Sequence, residues 1–324
     1  MILITGGAGF IGSNLQAALF ARDSEIVVTD RLGSDDKWRN LGTHPPFRLI
    51  PPEALEEFLE SHPPLEAIIH LGAISSTTAT DADEVWRTNV TLSQSLWTWC
   101  ANRGVRFFYA SSAATYGDGK AGFDDDATAL AGLTPLNLYG WSKHAFDRWV
   151  MAALRQGGPR PPQWAGLKFF NVYGPNEYHK GDMISVVFNK YAEIAAGLAP
   201  TLFKSHTPGL ADGAQARDFI HVADTVRVML WLLATPTVNG LFNLGTGQAR
   251  TYADLAHAVS DAAGAPRAIT YIDMPPRLRL HYQNFTQARI DRLRAAGYTA
   301  PFMTLEDGVA SYIRDHLSQP NRYA

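Results

Sequence analysis

Three glycines spaced by threes, Gly6-x-x-Gly9-x-x-Gly12, stand between a short apolar run, Ile2-Leu3-Ile4, and a helix-patterned stretch over 11–20. Few folds accept that order. A strand that stops at glycines and turns straight into a helix presents free N–H groups and the positive end of the helix dipole at the turn. Gly6 permits the tight turn, Gly9 lets the backbone approach a pyrophosphate, and Gly12 lets helix and strand pack closely. The segment reads as the seat of a dinucleotide.

The pattern continues down the chain. Residues 25–29 form a second apolar strand that stops at Asp30, with further strands over 47–50, 67–70, 106–110 and 163–170. Helices are expected over 53–59, 82–101 and 139–154. Short apolar strands separated by helices make parallel pairs with right-handed crossovers. The expected fold is therefore α/β: a Rossmann-type doubly wound parallel sheet with a smaller C-terminal α/β substrate-binding lobe. The 324 residues allow two domains, a dinucleotide-binding one over 1–170 and a mainly substrate-binding lobe over 171–324, with an interleaved boundary. After Gly174-Pro175 the alternation weakens, and 175–183 and 204–216 read as loops of that lobe.

With 46% hydrophobic and 18% charged residues the chain can bury a full core. Its 28 basic and 31 acidic side chains leave a net charge of -3, without the basic excess a nucleic-acid partner requires. The single cysteine, Cys100, excludes an internal disulfide, fits a reducing compartment and reads as a buried helix residue. The first strand begins at Ile2, and the most apolar stretch, 228–234, is far short of the ~20 residues a membrane span needs. The expectation is a cytoplasmic protein with no membrane partner and no metal. Asp124-Asp125-Asp126 reads as a solvated loop.

Chemistry is signalled by Tyr139-x-x-x-Lys143. Four residues apart on a helix, the two share a face. A free phenol, with a pKa of about 10, is a poor base near neutrality. The Lys143 ammonium, together with an oxidised nicotinamide, would favour phenolate. Lys143 can also hold the nicotinamide ribose. Ser112 closes the fifth strand, placed to hydrogen-bond the same substrate oxygen. Asp30 suits a ribose hydroxyl and hence NAD, whereas Arg31, Lys37 and Arg39 suit a 2′-phosphate. The expected cofactor is NADP, with NAD as the alternative.

These residues resemble the extended short-chain dehydrogenases and, more closely, the ADP-L-glycero-D-manno-heptose 6-epimerase family. The general marks are Gly6 to Gly12, His70-Leu71-Gly72-Ala73, Asn89, Tyr139/Lys143 and Asn171-Val172-Tyr173-Gly174-Pro175. The narrower ones are Tyr109 to Gly117, Ser75-Ser76-Thr77-Thr78, His179-Lys180-Gly181, Tyr282 to Ala288 and Arg294 to Tyr298. Dehydratases of this superfamily carry an Asp-Glu pair after the hydroxyl residue. Here Ala113 and Ala114 stand there, so redox or epimerisation remains.

The resemblance implies inversion at C6″ of an ADP-heptose, a precursor of lipopolysaccharide inner core, using a tightly held nicotinamide and two bases, Tyr139 and Lys180, with Ser112 assisting. For Lys180 the residues alone leave a phosphate-binding or solvated lysine open. By the same carry-over Ser112, Asn171, Asp182, Asn189, Phe203, Arg217 and Tyr282 touch substrate, although Arg217 and Asp218 could equally form an ion pair. Phe10, Ile11, Asp30, Arg31, Lys37, Leu71, Gly72, Ala73, Ile74, Ser75, Asn89, Lys143 and Val172 line the cofactor beside the glycines. Departures occur at Leu71, Asp182, Asn189 and 204–216, which leaves another nucleotide-sugar epimerase or a dehydrogenase/reductase as the alternative. The apolar, Trp-rich helices over 85–100 and 139–151 either pack against a second subunit, as in the superfamily's homo-oligomers, or face the core.

Overall fold

The computed structural model describes residues 1–279 and 283–324; Tyr282, expected to touch substrate, lies outside the described residues. Strands β1 (Ile2–Thr5), β2 (Ile26–Thr29), β3 (Arg48–Ile50), β4 (Ala67–His70), β5 (Arg106–Ser112) and β6 (Trp164–Phe169) follow the expected order. After them come β7 (Asn171–Tyr173), β8 (Thr201–Phe203), β9 (Ala216–His221), β10 (Gly240–Leu244), β11 (Ala249–Thr251) and β12 (Thr270–Ile272). The main sheet runs β10-β6-β5-β4-β1-β2-β3 with every pair parallel. Its edge strand β10 joins after a long excursion of the chain, so the sheet is built from residues on both sides of position 170.

Why parallel and buried follows from residue type. Alternate residues of β1 feed two cores: Ile2 and Ile4 join Leu15, Leu19, Val228 and Leu232 on one face, while Leu3 joins Leu96, Trp97, Phe146 and Val150 on the other. Strands coated on both faces must be apolar throughout. Helices α1 (Phe10–Phe20), α2 (Leu55–Glu60), α3 (Ala82–Trp86), α4 (Leu92–Arg103), α5 (Leu138–Arg155), α6 (Val186–Ala195), α7 (Val222–Ala234) and α8 (Tyr252–Ala262) supply these coats and the second lobe. That lobe has its own core around Val187, Phe219, Leu255, Val259, Val309 and Tyr312. Strand order reverses between β1 and β4, the usual position of a ligand crevice.

Three expectations are corrected in detail. The helix expected over 82–101 is interrupted by a π-helical turn, Arg87–Thr91, which turns Asn89 fully inward. The aspartate run is not merely solvated. Asp125 is 1% exposed, accepts the Asn243 N–H at 2.6 Å and lies 3.5 Å from Arg292, while Asp124 pairs with Arg289. Burial lifts the Asp125 carboxyl to about 6. The run fastens β10 to the segment around residue 290, a contact invisible to local patterning. Phe47, expected to open β3, is exposed and precedes it.

Candidate active site

At the glycine turn, Gly6 takes φ +67°, and a Cβ there would sit 2.6 Å from the Gly72 backbone; at Gly12 it would sit 2.2 Å from the Gly6 carbonyl oxygen. Both lie far inside contact distance, so the two loops at the crevice approach closely only because they are glycine. Gly9 caps α1 without any side-chain hydrogen bond, leaving the first-turn N–H groups for an anion. This cradle fits a dinucleotide pyrophosphate. Asp30 accepts from Ala8 N–H at 3.0 Å and from Lys37 Nζ at 2.7 Å, so the acidic end of β2 and the glycine loop form one unit. Arg31 points outward and pairs with Glu53.

The loop after β4 is held from behind. Thr5 Oγ1 meets His70 Nδ1 at 2.6 Å and accepts the Gly72 N–H at 3.1 Å; His70 Nε2 meets Ser93 Oγ at 2.9 Å. Burial, then Lys143, hold the His70 imidazole down to about 3, so it stays neutral. Asn89 accepts from Ile74 N–H (2.8 Å) and donates to Ile74 O (2.9 Å) and Ser142 Oγ (3.0 Å). Its amide thus ties the 71–75 loop to α5. Leu71, Ala73 and Ile74 are partly buried there, and Ser75 is exposed.

Helix α5 is capped by Asn137, whose Oδ1 accepts the Gly140 N–H at 2.8 Å, which sets Tyr139 in the first turn and Lys143 one turn on. Lys143 is 3% exposed, and burial lowers its ammonium to about 8. Tyr139 is displaced upward from the ordinary phenol value, by burial first, against a hydrogen bond with Ser112 that acts downward. The pull toward phenolate expected from Lys143 and an oxidised nicotinamide together has, within the protein itself, only the Ser112 hydrogen bond, which burial outweighs. The protein alone therefore keeps the phenol protonated. A charge that sequence reasoning missed lies behind: Asp147, fully buried and paired with Lys168 at 2.6 Å.

Lys180 arrives on the segment after β7. Its Nζ lies 5.1 Å from the centroid of the Phe10 ring, in the first turn of α1. Burial lowers the ammonium, opposed by Glu177. Glu177, also missed, is buried and fastens both ends of that segment, accepting from Ser185 N–H (2.7 Å), Ser185 Oγ (2.6 Å) and Gly174 N–H (3.5 Å). Val172, partly buried, and exposed Asn171 lie on β7, paired with β9. Arg217 on β9 is 6% exposed, donates to the carbonyls of Ala216 (2.9 Å) and Gln283, and stacks over Tyr252 at 5.6 Å. Asp218 accepts instead from Thr246, Gly247 and Ala288. Asp182 and Asn189 are exposed, and Phe203 is half-buried at the end of β8.

A glycine cradle at the sheet's reversal point, with a Tyr-x-x-x-Lys pair and a strand-end serine beside it, defines a nicotinamide-dependent enzyme of the short-chain dehydrogenase type. Residues 2–245 match the NAD dependent epimerase/dehydratase family. The ADP-L-glycero-D-manno-heptose-6-epimerase of Nitratidesulfovibrio vulgaris (strain DP4) is 48% identical over 322 residues, 98% of each chain. Its Fusobacterium nucleatum counterpart is 42% identical over 335 residues, with both chains fully covered. The crystal structure of the Helicobacter pylori ADP-L-glycero-D-manno-heptose-6-epimerase superposes with a TM-score of 0.80 at 28% identity, covering 97% of this chain and 95% of that one. A Thermus thermophilus UDP-glucose 4-epimerase complexed with NAD gives 0.78 at 27% identity, covering 98% and 99%. The chain belongs to the NAD dependent epimerase/dehydratase family, as a nucleotide-sugar epimerase and hence an isomerase. Among the described residues, no helix is long and apolar enough to cross a membrane.

Proposed function

We propose that this enzyme interconverts ADP-D-glycero-D-manno-heptose and ADP-L-glycero-D-manno-heptose by transient oxidation at C6″, with NADP as its resident cofactor. The glycine cradle, Asp30, Lys37 and the 71–75 loop hold that cofactor, which supplies hydride removal and return at the sugar carbon. Tyr139, with Ser112, moves a proton at the C6″ oxygen on one face. Lys180 moves it on the other. As the C–H hydride departs, one base takes the O–H proton and leaves a ketone; after return to the opposite face, the other base protonates the alkoxide. Each turnover leaves the first base protonated and the second deprotonated.

What supports the reading is that Lys180 stands over Phe10, in the first turn of α1 at the glycine cradle, while Tyr139 bonds Ser112 at the end of β5, on a helix that Asn89 ties to the 71–75 loop. Lys180 is shifted by burial toward neutrality, where an amine serves as a base. Lys37 supports NADP, because its contact with Asp30 offsets a carboxylate that would repel a 2′-phosphate. Arg217 is suited to the ADP diphosphate, with Asn171, Asp182, Asn189, Phe203 and Tyr282 around the sugar and base.

The test is incubation with each ADP-heptose epimer in deuterated water, followed by NMR. Direct hydride return yields the inverted carbon without solvent deuterium and without accumulating reduced cofactor. Reduced cofactor forming in step with product would instead make the enzyme a dehydrogenase. Comparing NAD and NADP affinities before and after Lys37→Ala tests the cofactor; an equal loss for both removes the 2′-phosphate role.

A further inference from the structure

We propose that the buried Asp147–Lys168 pair is a positioning device for proton transfer: a charge-balanced platform that fixes the electrical surroundings of Tyr139 and Lys143. The inference rests on the reading of Tyr139 as a base.

On α5, Tyr139, Lys143 and Asp147 follow at intervals of four and share one face. Asp147 Oδ2 accepts from Ser111 Oγ at 2.7 Å and Lys168 Nζ at 2.6 Å, and its Oδ1 accepts from Tyr109 Oη at 3.0 Å. Ser111 immediately precedes Ser112, the hydrogen-bond partner of Tyr139. Lys168, on β6, also donates to Thr115 Oγ1 at 2.8 Å and lies 5.1 Å from the Tyr116 ring centroid. The carboxylate therefore joins the helix that carries tyrosine and lysine to the strand end that carries the serine.

Neither side chain of the pair has any exposure. Burying two charges costs several kcal/mol per ion, and apolar residues of similar volume usually serve a core as well or better. Aromatic rings already pack close by: Tyr116 lies beside Lys168, and Phe146 packs against Tyr109. Packing alone gives no reason to keep the charges. Their neighbours do. From β5 the pair meets Tyr109 and Ser111, from the turn after it Thr115 and Tyr116, and from α5 Tyr139, Lys143 and His144. Asp147 pushes both the Tyr139 phenol and the Lys143 ammonium upward, and Lys168 limits that push by neutralising the carboxylate.

The two single variants must therefore move the enzyme in opposite directions. Asp147→Asn is expected to shift the acid limb of the kcat/KM profile down by about one pH unit, and Lys168→Met to shift it up by about one. The double variant, again neutral, is expected to restore it to within a few tenths of a unit. The pH dependence of NADP binding, read by tryptophan fluorescence, should move the same way because Lys143 borders the cofactor. Melting curves report folding separately. If Lys168→Met does not fold, Asp147→Asn and the double variant still form the comparison. Limbs that stay put, or that move together while activity falls, overturn the inference and leave the pair structural. Tyr139→Phe is the control for the parent reading: full turnover in that variant overturns the assignment of Tyr139 itself, whatever the pair does.

Discussion

Replacing Asn89 by alanine isolates what the π-helical turn accomplishes. The side chain is fully buried and makes three hydrogen bonds, two to Ile74 and one to Ser142. Ser142 keeps its own bond to the Tyr139 carbonyl at 2.7 Å, so the groups left without partners are the Ile74 N–H and C=O. Each unsatisfied group costs roughly 1–3 kcal/mol when buried, nearer 1 here because Ile74 is only partly buried. Adding about 1 kcal/mol for the lost Ser142 bond, less about 0.5 for alanine's better helix propensity, gives a loss of ~2–3 kcal/mol. At about 2–4 °C per kcal/mol, with a long chain at the lower end, the melting temperature should fall by roughly 4–8 °C. The 71–75 loop loses its tether, so binding of the nicotinamide cofactor, titrated by fluorescence, should weaken about five- to tenfold, equivalent to ~1–1.4 kcal/mol. Asn89→Asp, which keeps size but turns an oxygen toward the Ile74 carbonyl, should be at least as damaging. A melting temperature within about 1 °C of the parent, with unchanged affinity for the nicotinamide cofactor, would refute the tether.

Glu177→Gln places an N–H against Ser185 N–H or its hydroxyl; it should cost ~1–3 kcal/mol and reduce kcat while changing affinity for the nicotinamide cofactor little. Because Glu177 holds the Lys180 ammonium up, the limb assigned to Lys180 should move to lower pH. An unmoved limb would separate Glu177 from Lys180. Asp125 titrates near 6 in the folded chain against an ordinary value of 3.8, so its contribution is full below the ordinary value and is lost as pH rises through 6. Asp125→Asn cannot ionise, and between pH 4 and 7 it should gain up to about 3 kcal/mol on the parent; parallel pH curves in denaturant melts would contradict this. Trp86 and Trp141, 40% and 44% exposed with ring centroids 5.2 Å apart, form an aromatic pair on α3 and α5. Trp141→Asp should lower the mass seen by light scattering if that face meets a second copy, and an unchanged mass would place the interface elsewhere.

Local chemistry made the first six strands readable. All six are short and largely apolar, β1 ends at Gly6, β2 at Asp30 and β3 at Pro51, and the glycine turn, Ser112 and Tyr139/Lys143 lie within one or two elements of sequence. What patterning could not show were contacts made only by folding. Asp147 and Lys168 look like ordinary helix and strand residues until α5 is laid across β6. Asp125 looked solvated because its partners, Asn243 and Arg292, are more than a hundred residues away. Strand β10 pairs with β6 across a long stretch of sequence, and nothing local in it points to that distant partner. The upward shift of the Tyr139 phenol also depended on burial, which one-dimensional spacing does not report.

The place of β10 bears on how the chain is made. Residues 170–239 must be synthesised between β6 and its outer neighbour, which at about 5–20 residues per second takes roughly 4–14 s. During that interval β6, apolar but for Lys168, offers a bare rim of backbone donors and acceptors to any passing strand. A nascent chain halted there would carry a complete glycine cradle on a sheet that is still open at one side. Stalled or truncated products should therefore be the sticky species in a cell making this enzyme.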